Sequence, residues 1–158
     1  MVNPPPSHYP DIGTLGEDLV AQWLESNCWM ILHRRFSSRW GEIDIIAQQQ
    51  DKKDNFTLAF VEVKTRSQRN WDAGGKSAIT PQKQAKICRT AQMFLAEYPQ
   101  KADYACRFDV AIVKSERISP HSIGVINNQK VLASFSDGIH RLTLQEYIKA
   151  AFDAIDNG

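Results

Sequence analysis

Phe60-Val61-Glu62-Val63-Lys64-Thr65 decides how this chain is read. It completes the run Phe56–Thr65, which is dense in β-branched and aromatic residues and follows the polar turn Asp51–Asn55. Such a run reads as a strand. A strand in the body of a sheet should be apolar, because an ionised side chain without a partner is costly away from water. Glu62 and Lys64 break that rule, and at a spacing of two they project from the same face. Upstream, Asp44 interrupts Gly41-Glu42-Ile43-Asp44-Ile45-Ile46-Ala47 in the same way. If these two strands pair as a hairpin, Asp44 and Glu62 converge and a lysine shares their pocket.

Working outward, Leu15, Leu19, Val20, Trp23 and Leu24 recur at helical spacing, and Asn27 is a plausible stop. Trp29–Phe36 reads as a strand. Thr80-Pro81 opens a second helix, with Thr as N-cap and Pro in the first turn, and Ile87, Ala91 and Phe94 form its buried stripe. Phe108–Val113 is a nearly continuous apolar run, as expected of a buried strand. Ile123–Ile126 and Val131–Phe135 flank Asn127-Asn128 and read as a hairpin. Thr143-x-x-Glu146 has the form of a capping box and predicts a closing helix with Leu144, Ile148, Ala151, Phe152 and Ile155 inward. The expected fold is α/β with a mixed sheet: an α-β-β-β-α-β core, then a C-terminal β-hairpin and helix. Residues 1–12, with Pro4-Pro5-Pro6, read as a flexible tail, and residues 13–158 as one domain.

The chain has 158 residues, 42% hydrophobic and 23% charged, which is ordinary globular usage and argues against disorder or a coiled coil. Cys28, Cys88 and Cys106 are widely spaced, and the four histidines are scattered, so a thiolate zinc site is not expected. No apolar run approaches the ~20 residues that cross a bilayer. The reading is a cytoplasmic protein with reduced thiols and no membrane partner.

Two carboxylates and a lysine in one pocket suit metal-dependent phosphodiester hydrolysis. Asp44, Glu62 and the backbone carbonyl of Val63 offer hard oxygen ligands for Mg²⁺ or Mn²⁺. The Lys64 ammonium would orient a water or stabilise the charged phosphorus centre. The bland alternative is an ion cluster that only fixes strand register. Buried salt bridges stabilise poorly, which counts against it.

Gly13-x-x-Gly16-Glu17, Trp40–Ala47, Phe60–Arg66 and Arg107-Phe108-Asp109-Val110 together resemble the YraN-like family, uncharacterised protein family 0102. That family is placed in the restriction-endonuclease-like, PD-(D/E)xK nuclease superfamily. The resemblance covers about Asp11–Val113, and Lys114–Arg141 is longer than usual for the family. It implies a nuclease-like core, DNA as partner, and metal- and water-handling roles for Asp44, Glu62 and Lys64. Glu17 matches an acidic residue that supplies a further metal contact in resolvase-like relatives. Alternatively, Thr14-x-x-Glu17 is a capping box and Glu17 serves the helix start. Asp109, also in a buried strand, is either an acid that backs the metal site or a partner of Arg107, and the structural role is favoured. A nuclease acting on branched or structured DNA is the leading expectation. A catalytically silent binding module that keeps the fold is the second.

The formal charge is +1, but it is unevenly spread. Residues 1–61 carry −3, residues 62–90 carry +5 and residues 91–158 carry −1. The basic block begins at the Glu62-x-Lys64 strand. Arg66, Lys83, Lys86 and, near the first turn, Arg39 are therefore the candidate contacts to a nucleic-acid backbone, Arg34 and Arg35 being weaker ones. Trp71 either stacks on a base or covers the core edge. A homodimer is compatible with all of this.

Overall fold

The computed structural model describes residues 11–67, 79–119 and 130–154. Residues 1–10 of the expected tail, the loop holding Trp71 and the segment Ile123–Ile126 lie outside the described residues, while Asp11 and Ile12, assigned to that tail, instead cap and open the first helix. The elements run α1 (Ile12–Ser26), β1 (Met30–Ser38), β2 (Gly41–Gln50), β3 (Phe56–Ser67), α2 (Pro81–Glu97), a single 3-10 turn (Pro99–Lys101), β4 (Ala105–Arg117), β5 (Ala133–Ser136) and β6 (His140–Phe152). The six strands form one mixed sheet in the order β1-β2-β3-β4-β6-β5. β1, β2 and β3 are an antiparallel meander, β4 runs parallel to β3 after the α2 crossover, and β6 returns antiparallel to β4.

Each helix covers one face of the sheet. Leu19, Val20 and Leu24 of α1 pack on Ile45, Ala47, Ala59, Val61, Ala111 and Val113. Ile87, Ala91 and Phe94 of α2 pack on Ile43, Ile46, Leu58, Phe60, Val110 and Ile112. β3 and β4 thus have both faces covered, which explains their near-continuous apolar runs. Thr80 caps α2, its Oγ1 accepting from Lys83 N at 3.2 Å, with Pro81 in the first turn. α1 is capped differently from the capping-box alternative. Asp11, not Thr14, is the N-cap, and its Oδ1 accepts from Thr14 N at 2.7 Å. Glu17 is thereby released from any capping duty. α1 also lies close on β3, because a Cβ at Gly16 would collide with Thr65 Oγ1. Only glycine permits this approach.

The C-terminal expectation is corrected. Residues 143–152 are not a helix but belong to β6, and β5 pairs with β6 across a turn in which Gly138 adopts φ 89°. Leu144, Ile148 and Phe152 do recur every four residues, as on a helix. In the strand the same pattern comes from irregularities. Ile112 pairs with Glu146 and Val113 with Leu144, so one extra residue is accommodated in β6. Leu142 and Leu144 then face α1, while Ile148 and Phe152 face α2. A bulge that flips the strand's face imitates helical periodicity. The unpaired backbone edge of β4 supplies the force that overrides the local helical signal, since a long buried edge left without partners would be costly.

Candidate active site

The antiparallel ladder between β2 and β3 ends at the pair Ile45–Val61. The next row holds Asp44 and Glu62. Instead of continuing backbone pairing, Asp44 turns its own carboxylate into the ladder, Oδ2 accepting from Val63 N at 2.8 Å. The alternation of β2 breaks here, since Ile43 and Ile46, three apart, both face α2 while Ile45 faces α1. Across from Asp44 on β1, Arg35 takes a left-handed φ of 53°, unusual for a residue with a side chain. The sheet is therefore irregular on both sides of Asp44. A short acid that can hydrogen-bond backbone suits such a break better than an isoleucine.

Glu62 is 7% exposed. Its Oε1 lies 2.6 Å from Lys83 Nζ, reaching down from the first turns of α2, and 3.5 Å from Lys64 Nζ. Two ammonium groups thus face one carboxylate oxygen. Asp44 is in the opposite condition. Burial first, and then the charge of Glu62, push its pKa up to about 7, against the lowering effect of the Val63 N–H. Glu17 adds a smaller push in the same direction. Burial and the neighbouring Lys83 hold the Lys64 pKa below its usual value. Burial pulls Lys83 down as well, but the hydrogen bond and charge of Glu62 outweigh it and leave it raised.

Sequence reasoning expected Asp44, Glu62 and Lys64 in one pocket, and they are found together. The main chain of Val63 sits between them, fixed by Asp44 and by pairing beside Ala111 of β4. Glu17 lies nearby but is engaged elsewhere: its Oε2 is 3.0 Å from Arg35 Nε and 3.5 Å from Arg34 Nη2. These ion pairs hold it at the edge of the site. Lys83, expected to meet phosphate, is instead the closest cation to Glu62. Its role was hidden because α2 is joined to β3 by a long connection, so no local spacing relates the two residues. Arg66 lies on β3 four residues past Glu62, and Arg39 and Lys86 lie apart from this pocket, at the β1–β2 turn and on α2.

Among the described residues no group of three or more His, Cys, Asp and Glu side chains is placed to hold a metal ion. Asp44, Glu62 and the Val63 carbonyl nonetheless suit Mg²⁺ or Mn²⁺, which bind through one or two carboxylates and keep several waters. A donor set of oxygens alone does not suit zinc. The raised pKa of Asp44 fits a cation, because burial first and then the Glu62 charge make its ionised form costly, and a bound cation would offset that cost.

Asp109 forms a second polar cluster, on β4. It is fully buried, bound by Arg107 Nε at 3.1 and 3.0 Å, by the Tyr147 hydroxyl at 2.6 Å and by Ala150 N at 2.9 Å. This is the structural pairing expected from sequence, joined by two partners from β6.

Residues 16–113 match uncharacterised protein family UPF0102. A UPF0102 protein of Trichormus variabilis is 58% identical over 145 residues, covering 92% of this chain and 96% of the relative. A UPF0102 protein of Nostoc sp. is 57% identical over the same shares. One from Synechocystis sp. is 45% identical over 90% of this chain and 97% of its own length. The chain belongs to family UPF0102.

Proposed function

We propose that this member of UPF0102 is a metal-dependent nuclease of restriction-endonuclease-like architecture, acting on DNA phosphodiester bonds. The single observation that carries the reading is the Asp44–Glu62 row. Two carboxylates stand where a strand ladder stops, one of them with its pKa raised to about 7, beside a half-buried lysine. The order α-β-β-β-α-β, with β3 and β4 parallel, supports the architecture.

In this reading Asp44, Glu62 and the Val63 carbonyl hold Mg²⁺ or Mn²⁺. The cation would neutralise charge building on the phosphate and lower the pKa of a water. Lys64, whose ammonium lies 3.5 Å from Glu62 Oε1, orients the attacking water and offers positive charge to the phosphate. Glu17, held by Arg34 and Arg35, adds negative charge near Asp44 that would help attract the cation. Branched or structured DNA is the substrate proposed by likeness to resolvases, an analogy of fold and motif.

Calorimetry with Mn²⁺ on the wild type and on Asp44→Ala tests the site. Binding by the wild type that the substitution abolishes is the expected result, and no binding by either protein overturns the reading. Cleavage of linear, single-stranded and branched DNA, lost in Glu62→Ala and Lys64→Ala, then tests turnover. One observation favours the second reading, a binding module without turnover: Lys83 already seats its ammonium on Glu62. Metal binding without cleavage of any of these DNAs would support it.

A further inference from the structure

The turn between β1 and β2 is bolted to α2. Ser38 Oγ lies 2.9 Å from Thr90 Oγ1 and accepts from Trp40 N at 3.0 Å, while Thr90 Oγ1 donates to Lys86 O at 2.8 Å. A Cβ built on Gly41 would sit 4.0 Å from Lys86 Cβ. On this fixed base the half-buried Trp40 ring carries two guanidinium groups, Arg39 at 4.6 Å and Arg89 at 4.5 Å from its centre. Arg39, Lys86 and Arg89 are all exposed, and none is ion-paired among the described residues. α2 has no acidic residue before Glu97, and Glu42, at the start of β2, is hydrogen-bonded by Ser37.

We propose that Arg39 and Arg89, stacked on Trp40, and Lys86, on α2 beside the turn, form a phosphate track that leads a polynucleotide backbone toward the Glu62–Lys83 contact; this rests on the nuclease reading above. Lys83, Lys86 and Arg89 recur every three residues on α2, so the stretch spans about 9 Å, the rise of six helical residues. At roughly 3.4 Å of helix axis per phosphate on one strand, that covers two to three phosphates. Lys83 is neutralised by Glu62, which leaves the other three cations to meet the backbone. An exposed arginine ordinarily loses rotamer freedom on gripping a phosphate. Stacking on the indole has already fixed these two, so less entropy is lost on binding. The guanidinium edges remain to donate paired N–H groups to phosphate oxygens.

The test is binding of duplex and single-stranded DNA in EDTA across about 50 to 200 mM salt. For the double variant Arg39→Gln/Arg89→Gln, the expected result is roughly tenfold weaker binding and a salt slope shallower by about 1.8, two lost contacts at about 0.9 each. Its melting temperature and Mn²⁺ binding should match wild type. Trp40→Leu keeps both charges and removes the stack, so it should weaken binding a few-fold with the slope unchanged. If both variants bind as wild type does, the track is overturned and the metal site stands. If the wild type binds no polynucleotide, the track and its substrate fall together, and the Mn²⁺ titration judges the carboxylate site separately.

Discussion

Asp44 and Asp109 lie in the same sheet, both withdrawn from bulk water, with opposite surroundings. Asp109 is met by a guanidinium, a phenol and a backbone N–H, four short contacts that satisfy its oxygens. Asp44 receives one backbone N–H at 2.8 Å and has a second carboxylate as neighbour. The first acid is finished by the chain itself. The second is buried beside another carboxylate with fewer donors to satisfy it, so its ionised form is costly.

The largest effect is expected of Asp109→Ala. It would strand Arg107 and the Tyr147 hydroxyl, so a loss of about 3–5 kcal/mol is expected in urea unfolding. A wild-type midpoint would mean that the Asp109 cluster is not structural.

Asp44→Asn should act in the other direction. The folded protein keeps a proton on Asp44 up to about pH 7, whereas the unfolded chain releases it near the ordinary 3.8. The native state binds more protons between those values, so stability falls as pH rises through that window, and the full cost persists above it. Asparagine has no charge to bury, and its amide oxygen still accepts from Val63 N. The variant should therefore be more stable than wild type by about 1–2 kcal/mol at pH 8, discounting the shift for partial exposure and for Glu62, and the gap should close below pH 4. A difference that does not vary with pH would show that burial and Glu62 do not raise the Asp44 pKa.

The smallest expected effect belongs to Lys83→Met. The ammonium competes with any other cation for Glu62 Oε1, but it is partly exposed and screened. Its removal should tighten Mn²⁺ binding about threefold by calorimetry, within the ~1 kcal/mol such contacts are worth. Weaker binding would make Lys83 a helper instead of a competitor.

The central strands and both helices were legible because burial on two faces enforces long apolar runs, and because Thr80-Pro81 marks a helix start without tertiary help. The triad of Asp44, Glu62 and Lys64 was legible as charges out of place in such runs. Three things were not. The N-cap of α1 moved from Thr14 to Asp11, one turn earlier, since either side chain offers a suitable acceptor. The strand identity of β6 depended on the edge of β4 and on a bulge at which Leu144 and Ile148 part to opposite faces. The pairing of Lys83 with Glu62 depended on where α2 docks, which only the assembled sheet decides.

The late pairing of β6 with β4 has a consequence for synthesis on the ribosome. The chain is made from its N-terminus, so β1 to β4 emerge before the strand that covers β4's second edge. Over that interval the row of Asp44 and Glu62 already has its neighbours, while Phe108 to Arg117 presents open backbone donors and acceptors. An open edge of that length invites pairing with other chains. The C-terminal strands therefore serve as a cover fitted last. Changes that weaken Leu142 or Leu144 should register first as lost yield of soluble protein, before any change at the carboxylates.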